Sequence, residues 1–305
     1  MRNQVAIVIL WCLLFGLNSS SSSAQSPTID SIRDVIKRQG EDTNKVKSLN
    51  NLCWSFFQLA DYSSSDSVSY LAISLAEKLK YKAGIRQAYS HIGNVCENKG
   101  NYSNALKYYN LALQLDIEVD NKKGLANDYT NIGNIFSRQG NYMEALKEQL
   151  LSLNIFKEIG DKTGMSNAFT NIGVIYSDQG NYPQAITMQL EALKIDRELG
   201  LKDGLIFDYQ NLSSIYSELG NYTKALEYLT LALGTEQKIG NKYLMGGIYL
   251  NLGSIYANTH KPTLALENFK QSLKMFLEIG YKEGLGTDYQ LMGDIYVEEN
   301  KDSTC

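Results

Sequence analysis

Asn131-Ile132-Gly133-Asn134-Ile135-Phe136 decides the fold, because close copies of this stretch return at a constant distance along the chain. The copies are Asn171-Ile172-Gly173-Val174-Ile175-Tyr176, Asn211-Leu212-Ser213-Ser214-Ile215-Tyr216 and Asn251-Leu252-Gly253-Ser254-Ile255-Tyr256. Each copy starts 40 residues after the previous one. A fixed period of this size predicts a stacked repeat array, in which each unit buries its apolar residues against its neighbours.

Each repeat is predicted to contain two helices. In the frame 164–203, apolar residues between Phe169 and Tyr176 recur every three or four positions, which is typical of a helix with one buried face, here called helix A. The turn around Gly180 follows, and apolar residues from Ala185 to Ile195 predict a second helix, helix B. Helix A carries a recurring glycine where we expect the two helices to cross too closely for a side chain, at residues 133, 173, 253 and 293.

These residues resemble the tetratricopeptide repeat. Its pattern of an aromatic residue, Leu-Gly and Tyr on helix A, with Ala on helix B, is matched by Tyr129, Ile132, Gly133, Phe136 and Ala145. The resemblance implies an all-α fold, a right-handed superhelical solenoid of antiparallel helix pairs. The 40-residue length is similar to the subtype found in kinesin light chains, polarity scaffolds and bacterial peptide-sensing receptors.

The array is predicted over residues 44–299, after a lead-in helix within residues 25–43. Its frames are 44–83, 84–123, 124–163, 164–203, 204–243, 244–283 and an incomplete 284–299, followed by a truncated tail, 300–305. Because an array needs a polar terminal cap, two interpretations remain open. Either the chain is a fragment of a longer protein, or residues 284–299 form a solitary capping helix.

The first 24 residues are predicted to be a cleaved signal peptide. An apolar run extends from Val5 to Leu17, which is too short for the roughly 20 residues that span a bilayer. Small residues follow at Ser22 and Ala24, as signal peptidase requires. We therefore expect an exported protein, periplasmic or extracytoplasmic, cleaved near Ala24. The alternative is that the segment stays attached as an N-terminal anchor.

The charge balance disfavours nucleic acid and anionic membranes as partners. Without residues 1–24 the chain has 28 Lys and Arg against 33 Asp and Glu, a net charge of −5. No basic stripe is present in the sequence. Because phosphate-rich partners reward clustered positive charge, we expect no nucleic acid partner.

Catalytic chemistry has no support in the sequence. The two histidines, His91 and His260, lack the spacing of metal ligands, and neither a GxGxxG motif nor a P-loop occurs. Cys53 and Cys96 fall on predicted core positions, which favours buried free thiols over a disulfide. We therefore expect no enzyme activity, no metal and no small-molecule cofactor.

A row of asparagines is the polar feature that points to binding. Its members share one position on helix A, predicted to face the concave groove: Asn51, Asn131, Asn171, Asn211 and Asn251. Neighbouring groove positions are also neutral and include Thr130, Asn134, Thr170 and Gln210. An amide donates and accepts hydrogen bonds, as an extended peptide backbone requires. In peptide-binding members of the 40-residue subtype such asparagines hold the ligand backbone, and the resemblance implies the same role here.

Two alternatives compete with this interpretation. Duplication of the repeat copies asparagine with everything else, or the amides brace the adjacent helix. Toward the C-terminus the groove becomes apolar at Phe207, Leu250 and Leu291, which predicts an anchor site near Phe207 and Leu250. These side chains would equally pack against a following C-terminal segment.

The function predicted from the sequence is a non-catalytic, exported scaffold that binds a peptide or protein segment in its concave groove. The rival is the sensor half of a membrane signalling protein. The opening of the chain resembles the extracytoplasmic N-terminal region of bacterial sensors, in which a histidine kinase or nucleotide cyclase module follows. Such a module in cis would lie beyond residue 305.

Overall fold

The structure, a computed structural model, describes residues 29–302. The predicted signal peptide, its cleavage site near Ala24 and residues 303–305 lie outside the described residues. The described range is built of α-helices and contains no β-strand. None of these helices is both long and apolar enough to cross a membrane.

Consecutive helices pair as the 40-residue period predicts, and the all-α array of helix pairs is confirmed. After α1 (Ile29–Arg38), the helices that correspond to helix A are α2 (Thr43–Gln58), α4 (Lys82–Asn98), α6 (Lys122–Arg138), α8 (Lys162–Asp178), α10 (Lys202–Glu218), α12 (Lys242–Asn258) and α14 (Lys282–Asp302). Those that correspond to helix B are α3 (Tyr62–Lys78), α5 (Tyr102–Glu118), α7 (Tyr142–Glu158), α9 (Tyr182–Leu199), α11 (Tyr222–Glu236) and α13 (Pro262–Ile279).

A residue in the left-handed conformation ends the turn after each helix from α2 to α13. These residues recur every 20 positions from 60 to 280, and eight of the twelve are glycine, which adopts positive φ without a Cβ clash. Ala60, Lys80, Asp120 and His260 take the same conformation, with φ between 51° and 57°. His260 therefore stands at an inter-helix turn, as its place in the repeat predicts.

The described chain divides into two compact units, an N-terminal unit of residues 29–175 and a C-terminal unit of residues 176–302. The boundary falls within α8. In the N-terminal unit the core contains Tyr109, Ile132 and Ile135, with Ala105 beneath them. Cys53 is buried, Cys96 is half-buried, and both are free thiols. The C-terminal unit has two core clusters, one around Leu212, Leu229 and Ile248 and another around Leu250, Phe269, Phe276 and Leu291.

Close packing of helix A against helix B is visible at the recurring glycines. A Cβ at Gly93 would lie 2.5 Å from Tyr109 Cε1, and one at Gly253 would lie 2.5 Å from Phe269 Cε1. At Gly133 the nearest atom is Gln149 Nε2, at 2.9 Å. Gly293 differs, because nothing lies within 4 Å of its Cβ position. The packing reason predicted for glycine is thus wrong at residue 293, because the described chain contains no helix B of the same repeat to cover it.

Two buried carboxyl groups meet between α5 and α6. Asp116 Oδ1 accepts from Asn121 Nδ2 at 2.7 Å and lies 3.2 Å from Arg86 Nε. Asp128 is 1% exposed, and its burial together with the neighbouring Asp116 raises the pKa of Asp128 to about 8. In the C-terminal unit, burial also raises the pKa of Asp288 to about 7. Asp128 is therefore largely protonated in the folded protein at pH 7, whereas Asp288 is largely protonated only at mildly acidic pH.

The packing of helix B on these glycines can be tested with two substitutions at the same repeat position, one where the glycine is covered and one where it is not. Gly253→Ala should lower the free energy of unfolding by about 1–3 kcal/mol, because the Phe269 ring has to move. Gly293→Ala should be neutral or stabilise by up to about 1 kcal/mol, because alanine is the better helix former and the space is open. Urea denaturation followed by circular dichroism measures both, and equal midpoints for the two variants would contradict the packing described.

The buried carboxyl groups make stability depend on pH. The folded chain holds protons on Asp128 and Asp288 that the unfolded chain has lost above about pH 4, so the free energy of unfolding should fall as pH rises toward 8. The stabilisation is complete below pH 4 and lost above pH 8. Between pH 5 and pH 9 we expect a loss on the order of 4–7 kcal/mol.

Asp128→Asn keeps the shape of the protonated carboxyl and should remove part of this dependence. The variant should gain stability over the parent at pH 9 and little at pH 5, as measured by urea denaturation at each pH. Asp294→Asn, at an exposed position, is the control and should leave the pH profile unchanged. A profile for Asp128→Asn that parallels the parent would exclude the buried pair as its source.

Candidate functional site

The candidate site is the helix A surface, which carries the predicted row of asparagines. Asn51 is exposed, while Asn131, Asn171, Asn211 and Asn251 are half-buried. None of these side chains belongs to the core of either unit. The neutral neighbours Thr130, Asn134, Thr170 and Gln210 are half-buried as well.

In the N-terminal unit, a buried glutamine on helix B uses two of the predicted site residues. Gln149 is fully buried, and its Nε2 donates to Asn134 Oδ1 at 2.8 Å and to the Thr130 carbonyl at 3.0 Å. Its Oε1 accepts from Asn171 Nδ2 at 3.4 Å. Gln149 therefore links helix A of its own repeat to helix A of the next. The amides of Asn134 and Asn171 brace helices in this structure.

Thr130 is engaged in the same contact between helices. Its hydroxyl donates to the Ala126 carbonyl at 3.1 Å and lies 2.7 Å from the Ser152 hydroxyl on α7. By contrast, the Asn131 side chain makes no hydrogen bond to any described residue and is only half-buried. Asn131, like the exposed Asn51, is thus a member of the row in this unit whose side-chain donors and acceptor remain open beside the helix A surface.

In the C-terminal unit the amides are not used in this way. Gln210, Asn211 and Asn251 are half-buried and form no side-chain hydrogen bond within the described chain. Two positions of this unit are equivalent to Gln149: Gln189, which precedes Asn211 and is buried, and Leu229, which precedes Asn251, is buried and offers no hydrogen-bonding group. Three amide groups on α10 and α12 are therefore available to a ligand.

The predicted apolar anchor is only partly present. Phe207 is half-buried, so part of its ring remains at the surface. Leu250 is wrong as an anchor, because it is fully buried in the cluster that contains Phe269, Phe276 and Leu291. Leu291 is 5% exposed and belongs to the same cluster. Their apolar character is explained by packing between α12, α13 and α14.

The charged groups beside the helix A surface of the N-terminal unit neutralise each other. Arg138 Nε lies 3.0 Å from Glu97 Oε1, which pairs α6 with α4. The Tyr109 hydroxyl donates to Asn94 Oδ1 at 2.7 Å and to Glu97 Oε2 at 2.9 Å. Among residues 29–302 no cluster of His, Cys, Asp or Glu is arranged to hold a metal ion.

An aromatic cluster on α2 and α4 was not anticipated from the sequence. The Trp54 indole is 41% exposed and stacks on Phe57, with ring centroids 5.3 Å apart and an interplanar angle of 22°. The His91 ring lies 6.1 Å from the indole. His91 occupies the position of the asparagine row, and Trp54 stands at the position equivalent to Asn134. The sequence does hold a sign of this cluster, because Trp54 and His91 both differ from the residues that the other repeats carry at their positions.

His91 is buried without a hydrogen-bond partner. The residue is 8% exposed, and neither Nδ1 nor Nε2 has a partner among the described residues. Burial, with a smaller contribution from the charge of Arg86, lowers the pKa of His91 to about 4. The ring is therefore neutral at pH 7, with one N–H donor and one nitrogen acceptor left unused.

Solved structures share the fold at low sequence identity. A Rap protein complexed with competence and sporulation factor aligns with a TM-score of 0.65 and 13% identity, covering 90% of this chain and 81% of its own. Aspartyl phosphate phosphatase F from Bacillus subtilis aligns with a TM-score of 0.62 and 15% identity, over 88% of this chain and 74% of its own. BtubC (BKLC) from P. vanneervenii aligns with a TM-score of 0.57 and 19% identity, over 70% and 88%.

Sequence comparison gives the family directly. No curated protein matches this sequence. Models of the tetratricopeptide repeat match residues 84–158, 164–235 and 246–277, which together make up more than half of the chain. The 40-residue period, the helix pairs and the glycine contacts agree with this match, and the chain belongs to the tetratricopeptide-repeat family.

Proposed function

We propose that the protein is an exported, non-catalytic scaffold whose helix A surface binds an extended peptide or protein segment. The observation that carries this proposal is the set of amides left open on helix A within each unit: Asn131 in the N-terminal unit, and Gln210, Asn211 and Asn251 in the C-terminal unit. Each amide donates and accepts at a half-buried position, where a hydrogen bond competes less with water than on an open surface. An extended polypeptide offers matching groups at every residue.

The neutrality of this surface supports a polypeptide ligand over a strongly charged one. The Glu97 and Arg138 side chains are paired, and the proposed ligand-binding groups are uncharged amides. Affinity should therefore change little with salt concentration, since screening acts on charges. Among the residues proposed for binding, none carries a nucleophile, an acid or a base.

The amides alone supply modest affinity. A net contribution of about 0.5–1.5 kcal/mol for each hydrogen bond gives about 1–3 kcal/mol for Asn211 and Asn251 together. Part of that is offset by the cost of ordering a flexible ligand. Micromolar binding, at roughly −8 kcal/mol, requires apolar contacts in addition. In the C-terminal unit the exposed part of the Phe207 ring is proposed to contribute to them.

The test removes two amides from one unit. Peptides selected from a random library on the parent should bind Asn211→Ala/Asn251→Ala about 5–150-fold more weakly, as measured by isothermal titration calorimetry. Gln271→Ala removes an exposed amide from helix B and serves as the matched control, with unchanged affinity expected. Circular dichroism confirms folding of each variant. Equal binding by the double variant would mean that the row is only inherited from repeat duplication.

Export is proposed on the apolar run from Val5 to Leu17 and the small residues before Gln25. The mature protein should begin at Gln25 and be found outside the cytoplasm, because a signal peptidase cleaves after a small residue such as Ala24. Intact-mass spectrometry of material from the extracytoplasmic and cytoplasmic fractions measures this. Detection of the uncleaved chain, beginning at Met1, in the extracytoplasmic fraction would contradict cleavage.

A further inference from the structure

The Trp54, Phe57 and His91 side chains form an aromatic cluster that the packing of the repeats does not require. At the position of Trp54 the other repeats of the N-terminal unit carry Asn94, Asn134 and Val174. At the position of His91 they carry Asn51, Asn131 and Asn171. The repeat therefore folds with small polar or aliphatic residues at both positions, and the aromatic pair needs another explanation.

Two independent observations indicate a ligand at this cluster. The first is the exposure of Trp54, since 41% of a large indole surface meets water although one of its faces already stacks on Phe57. The second is His91, which is more than nine-tenths buried and leaves both ring nitrogens without partners. Buried polar atoms in native proteins are almost always satisfied, and exceptions frequently mark functional positions.

The lack of charge and the aromatic rings of the cluster indicate which kind of ligand side chain it would bind. Trp54, Phe57 and neutral His91 carry no charge, and two cations in their neighbourhood are paired: Arg86, whose charge acts on His91, with Asp116, and Lys99, which lies over the Tyr62 ring beside Phe57, with Asp66. The cluster therefore favours an uncharged side chain. Its rings favour an aromatic partner by stacking, and the unused imidazole nitrogens favour one with a polar atom on the ring.

We infer that Trp54, Phe57 and His91 form an anchor site for a tyrosine or tryptophan side chain of the bound segment. This inference rests on the proposed function, because the ligand is the same extended segment. The indole of Trp54 stacks on the incoming ring, and His91 exchanges a hydrogen bond with the hydroxyl or N–H group of that ring. Because both His91 nitrogens are buried, this hydrogen bond forms only when neighbouring side chains move aside on binding. His91 stands in the row between Asn51 and Asn131, so within the N-terminal unit the anchor lies in line with the open amide of Asn131.

Trp54 itself reports on occupancy. The sequence has two tryptophans, Trp11 and Trp54, so the chain beginning at Gln25 keeps Trp54 as the single reporter. Titration with N-acetyl-L-tyrosine amide, excited where tyrosine does not absorb, should shift the Trp54 emission to shorter wavelength and saturate in the millimolar range. N-acetyl-L-leucine amide is the matched probe and should bind at least 5-fold more weakly. Equal responses to the two amides would overturn the aromatic specificity.

Substitutions that introduce the residues found at these positions in other repeats should remove binding without disturbing the fold. His91→Asn and Trp54→Asn introduce residues that the array already uses at these positions. Both variants should keep the melting temperature of the parent within a few degrees, because neither removes a hydrogen bond of the fold. A large loss of melting temperature in His91→Asn would show that the ring is needed for packing and would overturn the proposal.

The decisive experiment compares peptide pools. Library peptides selected on the parent should be enriched in Tyr or Trp at one position and should bind His91→Asn and Trp54→Asn at least 10-fold more weakly. If peptides bind but neither variant weakens them, the anchor is wrong while the scaffold function stands. If no peptide binds the parent, the scaffold function itself fails. Concentration-dependent dimerisation abolished by Trp54→Asn would instead assign the cluster to a second copy of the chain.

Discussion

A bulky side chain of helix B resting on a glycine of helix A is the contact on which the array depends. Tyr109 covers Gly93 and Phe269 covers Gly253, each leaving no room for a methyl group. The same contact recurs between a repeat and its successor, where Phe156 covers Gly164. Because the closeness of the helices is set by the missing Cβ, the stacking of repeats and the spacing of their surface residues both follow from it.

The residue above the glycine also decides what the surface amides can do. Where it is Gln149, the buried amide needs partners, and it takes Asn134 and Asn171 from the surface. Where it is Leu229, no hydrogen bond is needed, and Asn251 on the next helix A remains open. Asparagines at the same repeat position therefore brace helices in one repeat, as Asn171 does, and make no side-chain hydrogen bond within the described chain in another, as at Asn251.

The period of 40 was sufficient to predict the helix pairs, the glycine turns and the position of each asparagine on helix A. It could not predict which surface position would be covered by a neighbour. The residues equivalent to Leu250 in three earlier repeats, Thr130, Thr170 and Gln210, are only half-buried. Leu250 itself is fully buried against α13 and α14. His91 likewise lies on a surface position and is buried beside Trp54, a residue that only its repeat carries. Periodicity gives the angle of a side chain around its own helix, whereas burial depends on the particular side chains next to it.

The left-handed turns have a further consequence for how the chain acquires its structure. From residue 140 to residue 240 all six turn positions are glycine, whereas Ala60, Lys80, Asp120 and His260 stand in turns nearer the ends. A residue with a Cβ costs about 1 kcal/mol or more in this conformation, so these outer turns form less readily. Helix pairs in an array nucleate locally and then recruit their neighbours. The glycine-rich middle is therefore where nucleation is cheapest, and folding should spread from it toward both ends, which would also be the first parts to fray.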